Sequence, residues 1–260
     1  MKSSRDGHIH SHYCPHGTKD EFEKYIENAL KRGLKEISFT EHIPLKHGCM
    51  KQDEIDISAP SEEVMLDYFN EINLYKEKYK GKIKINAGVE VDYLEGLEDK
   101  TKEMLDKYGE YIEDSILSVH FFNIDDKYYC MDASKSGFGL LIDMLGDIDK
   151  VYDKFYETLL KSINSDLGKY KPKRIGHPTL IRIFNLEYPH EYKNTELMET
   201  VVKSIKEKDY EIDYNSSGLR KPYCKEKYPS GKFMELVKKY NIRMVNGSDS
   251  HAAEDVGKGF

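Results

Sequence analysis

The sequence predicts an α/β fold, a distorted (β/α)7 barrel with a metal site at the C-terminal ends of its strands. Short strand-like runs alternate with helical patterns about seven times in 260 residues, and this number of units fits a parallel barrel. Histidines and acids recur where the runs end, and such side chains converge if the strands are parallel. A doubly wound open sheet is the alternative, but it would gather groups only near a topological switch point.

The predicted elements follow one another without a linker. The first strand, 6–10, precedes the clearest helix, 18–33, in which Thr18 and Glu21 match a capping box and Gly33 is typical of a helix end. The later strands are predicted at 36–40, 82–89, 114–119, 174–176, 211–214 and 243–246. The later helices are predicted at 61–79, 97–108, 150–167, 195–208 and 230–240. We therefore expect a single domain, 1–260, in which the long connections 42–60 and 121–135 shape the pocket.

Composition limits the classes of function. A net charge of −7 counts against a nucleic-acid-binding protein, which usually has a basic surface. It leaves room for a small anionic substrate in a metal-rich pocket that is locally positive. The four cysteines (Cys14, Cys49, Cys130 and Cys224) form no C-x-x-C pair, so neither a cysteine zinc site nor a disulfide framework is predicted.

The sequence predicts no membrane segment. The N-terminus has no apolar run typical of a signal peptide, and the most apolar stretch, 138–145, is short and contains an acid. We therefore expect a cytoplasmic enzyme with no membrane partner. The sequence carries no signal of an oligomeric state.

The strand ends carry metal-ligand chemistry. His8 and His10 lie on one face of a strand, because side chains alternate with period two. The other strand ends carry Glu41-His42, Glu90, His120, His177 and Asp249-x-His251. Imidazoles and carboxylates that converge in this way are suited to a cluster of divalent Zn, Mn, Fe or Co ions. The pattern therefore predicts a multinuclear metallohydrolase.

These motifs, in this order, resemble the PHP (polymerase and histidinol phosphatase) superfamily. The order is H-x-H, T-E-H, G-x-E, S-x-H, G-H and S-D-x-H, and it extends over essentially the whole chain. Local strings resemble the histidinol-phosphatase branch, including GVEVDY at 88–93, GHPTLIR at 176–182 and NSSGLRKP at 215–222. Two departures are Glu41, where much of the superfamily has Asp, and Thr179, where an acid often follows G-H-P.

The resemblance implies three divalent metal ions. The first ion would be bound by His8, His10, Glu90 and Asp249. The second would share Glu90 and add His120 and His177, and the third would be bound by His16, His42 and His251. All nine positions hold chemically competent groups, whereas Glu41 is expected to lie behind the ligands.

The resemblance also implies a reaction, the hydrolysis of L-histidinol phosphate in histidine biosynthesis by a hydroxide held between the metals. Arg182 and Arg220 would bind the phosphate, and Asp249 or a histidine would protonate the leaving group. Asp92 and Tyr93 are candidate acceptors for the substrate amine, and Asn215 is a candidate to orient water or substrate. The alternatives are a PHP-type phosphoesterase or 3′-5′ nuclease on nucleotides or DNA, and a non-catalytic metal-binding module.

Overall fold

A nearly closed barrel of seven parallel strands forms the centre of the molecule. The computed structural model describes residues 4–45 and 51–260. The strands are β1 (Arg5–Ile9), β2 (Glu36–His42), β3 (Lys84–Asp92), β4 (Asp114–Ser118), β5 (Phe121–Ile124), β6 (Lys127–Cys130), β7 (Arg174–Ile175), β8 (Glu211–Asn215) and β9 (Met244–Gly247). The barrel order is β1-β2-β3-β4-β7-β8-β9, and β5 and β6 form a separate antiparallel hairpin.

The two edge strands of the sheet, β1 and β9, are joined by hydrogen bonds at their C-terminal ends. The backbone N–H of His10 donates to the carbonyl of Ser250 at 2.9 Å, and the N–H of Asp249 donates to the carbonyl of His8 at 2.7 Å. These bonds join the ends of β1 and β9. The predicted barrel is therefore confirmed, and the open-sheet alternative is wrong.

Helices surround the barrel and bury their apolar faces against it. They are α1 (Phe22–Lys31), α2 (Gln52–Ser58), α3 (Met65–Lys78), α4 (Glu98–Tyr108), α5 (Lys135–Leu145), α6 (Ile148–Asn164), α7 (Thr195–Glu207) and α8 (Gly231–Lys239). In α6, the side chain of Asp147 caps the first turn by accepting from the N–H of Lys150 at 2.8 Å. Val151, Phe155 and Leu159, at helical spacing, then pack into the core.

Strand β3 illustrates how the sequence separates core from site. Ile85, Val89 and Val91 belong to the apolar core between barrel and helices. Glu90 and Asp92, at alternate positions, contact histidines of other strands and therefore face the barrel interior. Because side chains alternate along the strand, the odd-numbered residues of β3 pack in the core, whereas Glu90 and Asp92 lie at the site.

Three features differ from the predicted elements. Helix α1 begins at Phe22 with no side-chain cap, because the hydroxyl of Thr18 bonds to Asp20 and its N–H bonds to the carbonyl of His251. The predicted capping box is therefore wrong. Helix α2 and the β5–β6 hairpin occupy the two connections that were expected to be loops, and α5 follows directly.

None of the helices in 4–45 and 51–260 combines the length and apolarity needed to cross a bilayer. Cys14, Cys130 and Cys224 are free thiols, and Cys49 lies outside the described residues.

Candidate metal centre

Nine predicted ligand residues gather at the C-terminal end of the barrel. Their donor atoms form overlapping groups in which the atoms lie within 4.8 Å of one another. These groups are His8-His10-Asp249, His10-His42-Glu90, Glu90-His120-His177 and His16-His42-His251. Every predicted ligand belongs to at least one group. The arrangement could therefore hold more than one cation.

Glu90 occupies the centre of this cluster. Its Oε2 atom lies 3.3 Å from Nε2 of His8 and 3.2 Å from Nε2 of His10. Its Oε1 atom lies 3.0 Å from Nε2 of His177 and accepts from the hydroxyl of Ser118 at 2.5 Å. Burial opposes ionisation, but His8 and the other histidines around it hold the pKa of Glu90 well below its usual range. The two carboxylate oxygens of Glu90 thus contact different histidines.

The ring nitrogens of His8 and His10 fit a shared cation. Their Nε2 atoms are 3.2 Å apart, while Nδ1 of His8 contacts Asp213 and Nδ1 of His10 contacts Glu41. If each Nδ1 carries the proton that its carboxylate accepts, the two Nε2 lone pairs face each other. Such lone pairs repel unless a positive ion lies against both. The donor set therefore fits a divalent metal with affinity for nitrogen and oxygen.

A second pair of imidazoles meets at the rim of the site. Nε2 of His251 lies 3.0 Å from Nε2 of His16, whose Nδ1 donates to the carbonyl of Ile57 at 3.0 Å. Burial, together with positive charge on His42 and His10, lowers the pKa of His16 to about 4. The thiol of Cys14 lies within the same 4.8 Å limit of His10 and His251.

Two residues at strand ends have a left-handed backbone. His177 follows β7 with φ of 22°, and Asp249 follows β9 with φ of 49°. Non-glycine residues adopt this conformation at a cost, and such strain concentrates at functional sites. In Asp249 it accompanies two hydrogen bonds to Oδ2, from the hydroxyl of Ser217 at 3.0 Å and the amide of Asn215 at 3.2 Å.

Carboxylates contact the Nδ1 atoms of several of these histidines, on the side of the ring away from Glu90. Glu41 lies behind His10, as the sequence predicted, and its pKa falls to about 2 because His10 outweighs the opposing effect of burial. Asp92 contacts His120, with its Oδ1 atom 2.5 Å from Nδ1 of that ring and its side chain 1% exposed. The contact of Asp92 with a substrate amine stays a prediction. Asp213, which sequence reasoning missed, stands behind His8.

Tyr93 and Asn215 make hydrogen bonds within the protein. The hydroxyl of Tyr93 donates to Glu98 at 2.5 Å, and its ring belongs to the apolar core. The amide of Asn215 donates to Asp213 at 2.8 Å and to Asp249 at 3.2 Å, and the side chain is fully buried. Asn215 therefore holds two carboxylates in place, and the substrate contacts of both residues stay predictions.

The two predicted phosphate-binding arginines have different environments. Arg182 forms a two-pronged ion pair with Glu226, with N–O distances of 3.0 and 2.6 Å. Arg220 donates to the carbonyls of Ser248 at 2.7 Å and Asp249 at 3.2 Å, which anchors the chain beside the metal-site carboxylate. Its Nη1 atom is buried and has no hydrogen-bond partner among the described residues. Arg220 thus keeps a free donor next to the cluster.

Comparison with known proteins identifies the family. The PHP domain family matches residues 6–217, and the PHP-associated family matches residues 231–260. The chain belongs to the PHP family. This PHP chain is 40% identical over 258 residues to the histidinol-phosphatase of Bacillus subtilis (strain 168), with 98% of the chain and 96% of that relative covered. The resemblance inferred from the motifs is confirmed.

Solved structures agree with the PHP fold. A Listeria monocytogenes protein assigned as the histidinol phosphatase hisK superposes with a TM-score of 0.94 at 33% identity, and 98% of each chain is covered. The histidinol phosphate phosphatase of Lactococcus lactis subsp. lactis Il1403, solved with Zn, L-histidinol and phosphate, has a TM-score of 0.69 at 20% identity. That likeness covers 97% of this PHP chain and 88% of the other, and it supports the barrel fold.

Proposed function

We propose that this chain is a cytoplasmic, metal-dependent phosphomonoesterase that hydrolyses L-histidinol phosphate to L-histidinol and phosphate in histidine biosynthesis. One observation carries the proposal. Nine nitrogen and oxygen donors converge around Glu90, at one end of a barrel that is 40% identical to a histidinol-phosphatase along 98% of its length. Three divalent ions (Zn, Mn, Fe or Co) are the cofactors that this donor set would hold.

The metal ligands are proposed in three groups, of which the first two share Glu90. The first group is His8, His10, Glu90 and Asp249; the second is Glu90, His120 and His177; the third is His16, His42 and His251. Divalent ions bound here would lower the pKa of a bound water toward about 7 and neutralise charge on the phosphoryl oxygens. The barrel contributes a dry and rigid frame, since His8, His10 and Glu90 are at most 1% exposed.

The chain's own residues supply the remaining catalytic functions. Arg220 is proposed to donate to a phosphoryl oxygen through its unpartnered Nη1, which a buried guanidinium would otherwise leave unsatisfied. Arg182 is proposed as a second phosphate contact, for which Glu226 fixes the direction of the guanidinium. Asp249 is held by Ser217 and Asn215 at Oδ2, so its Oδ1 remains directed at the cluster. It or a neighbouring histidine is proposed to protonate the leaving alkoxide.

A panel of substrates tests the proposal directly. Phosphate release would be measured with L-histidinol phosphate, nucleoside monophosphates and sugar phosphates, and release of nucleotides with single-stranded DNA, using metal-stripped enzyme reloaded with Zn²⁺, Mn²⁺ or Co²⁺. We expect L-histidinol phosphate to have a kcat/KM at least 100-fold above the others. Faster cleavage of nucleotides or of single-stranded DNA from its 3′ end would support the nuclease alternative instead. No turnover of any substrate by metal-loaded enzyme would support a non-catalytic module.

A further inference from the structure

We propose that Asp213 and Asp92 are positioning residues of the metal centre: each buried carboxylate holds the Nδ1 side of a histidine so that Nε2 of the same ring faces the cations. The inference rests on the metal centre proposed above and concerns residues behind the ligands. Neither carboxylate belongs to a proposed ligand group. Both approach imidazole rings whose opposite nitrogens lie near Glu90.

Asp213 holds His8 from the interior of β8. Its Oδ2 atom lies 2.7 Å from Nδ1 of His8 and accepts from the amide of Asn215 at 2.8 Å. A carboxylate acts only as an acceptor, so this contact places the ring proton on Nδ1 and leaves the Nε2 lone pair free. That Nε2 atom lies 3.3 Å from Glu90 and 3.8 Å from Asp249.

The environment of Asp213 is poorly explained by stability alone. The side chain is fully buried, and its Oδ1 atom has no hydrogen-bond partner among the described residues. A buried acceptor without a partner costs about 1–3 kcal/mol. An apolar residue at 213 would avoid that cost. The carboxylate is therefore better explained by its contact with His8 and, through the Asn215 amide, with Asp249.

Asp92 holds His120 in the same way from β3. Its Oδ1 atom lies 2.5 Å from Nδ1 of His120, and Nε2 of that ring lies 3.8 Å from Oε1 of Glu90. Its Oδ2 atom lies 3.3 Å from Nδ1 of His42. Asp92 therefore faces histidines of two proposed metal groups, whereas Asp213 faces a histidine of one. This difference allows the two carboxylates to be distinguished by experiment.

The expected effect is on metal affinity. Carboxylates behind metal-bound histidines raise the basicity of the ring and fix its orientation, and their loss typically costs 10–100-fold in affinity or activity. Asp213→Asn keeps the size of the side chain but lets an amide N–H face Nδ1. That contact favours the tautomer with the proton on Nε2, which cannot bind a cation. We expect one weakened equivalent of metal in Asp213→Asn and two in Asp92→Asn.

The test measures metal binding without substrate. Metal-free full-length protein would be titrated with Zn²⁺ against a chromogenic chelator, and with Co²⁺ while its visible absorption spectrum is recorded. The control is Asp114→Asn, a mostly buried carboxylate that pairs with Arg5 and Arg174 at the opposite end of the barrel. We expect wild-type metal affinity and spectrum in Asp114→Asn, and 10–100-fold weaker binding with an altered cobalt spectrum in the other two variants.

A double-mutant comparison separates positioning from general damage to the fold. If Asp213 acts mainly through His8, Asp213→Asn should weaken metal binding much less in a His8→Ala background than in the wild type. Circular dichroism of the metal-free proteins would check folding, and Asp92→Asn provides an independent arm should Asp213→Asn fail to fold. Wild-type affinity and cobalt spectra in both variants would overturn the inference. Failure of the wild type itself to bind metal would refute the proposed metal centre instead.

Discussion

Replacement of Glu90 by Gln should be the most damaging conservative change at the site. Both oxygens of Glu90 are used, Oε2 toward His8 and His10 and Oε1 toward His177, at distances of 3.0 to 3.3 Å. Glutamine keeps the shape but removes the charge and turns one acceptor into a donor aimed at imidazoles. The first and second proposed ligand groups, which share Glu90, would therefore each lose a ligand atom or its negative charge.

The magnitude follows from this double role. Residues that merely support a metal ligand are worth about 10–100-fold in affinity or activity, so each side of Glu90 contributes at least that much. If the losses from the two oxygens multiply, kcat/KM should fall by roughly 10²–10⁴-fold. This is about 2.7–5.4 kcal/mol in transition-state stabilisation. His16→Ala removes a donor from one group only, at the exposed rim. We expect that comparison variant to lose roughly 10–100-fold.

The assay is phosphate release from L-histidinol phosphate by metal-loaded enzyme from which unbound metal has been removed, with metal content measured on the same samples. We expect Glu90→Gln to lose both activity and bound metal, and to lose more of each than His16→Ala. Metal content and kcat/KM within threefold of wild type in Glu90→Gln would refute the central position that we assign to this carboxylate. A larger loss in His16→Ala than in Glu90→Gln would refute the order of importance.

Three further predictions concern metal content, phosphate contacts and packing. Protein purified without chelator should contain close to three metals per chain by elemental analysis, and full activity with one metal or fewer would exclude a trinuclear centre. Arg182→Ala and Arg220→Ala should keep wild-type metal content but lose about ten- to a hundredfold in kcat/KM, because charge-assisted bonds are worth about 1.5–3 kcal/mol. The control Arg243→Ala, with a side chain 62% exposed, should have normal kinetics; normal kinetics in all three variants would mean that phosphate is bound elsewhere. Gly247→Ala should destabilise the protein by about 1–3 kcal/mol in denaturant unfolding and weaken metal binding, because the new Cβ would lie 2.1 Å from Oδ1 of Asp213. Unchanged stability and metal affinity in that variant would show that the strand end can relax.

The barrel and the convergence of donors could be predicted because both depend on local patterns. The H-x-H pair of His8 and His10 identifies one face of a strand by period two, and parallel strands bring successive C-terminal ends together. Helix α2, the β5–β6 hairpin and α5 were missed because they lie in long connections where no strand-helix alternation applies. Thr18 has capping spacing, but a backbone bond to His251 holds it outside the helix.

The roles of residues behind the ligands could not be predicted from spacing. Asp92 lies two residues after Glu90 on the same face of β3, a position equally consistent with a substrate contact or a histidine contact. The contact with His120, which follows the neighbouring strand β4, is visible only in the structure. Asp213 carried a usable signal, since it shares a strand face with Asn215 at the end of β8. Its partner His8 lies almost the whole chain away, so the pairing itself required the structure.

The seam between β1 and β9 couples the first proposed donor group to closure of the barrel. His8 and His10 lie at the end of β1 and Asp249 at the end of β9, and backbone bonds across the seam bring these residues together. Contacts so distant in sequence form only after the intervening chain closes on itself, at a cost in entropy. A chain whose seam has opened therefore keeps a pair of histidines without the carboxylate that completes their group. We expect a cation bound by this group to stabilise the closed barrel, because it would bind only the state in which the seam has formed.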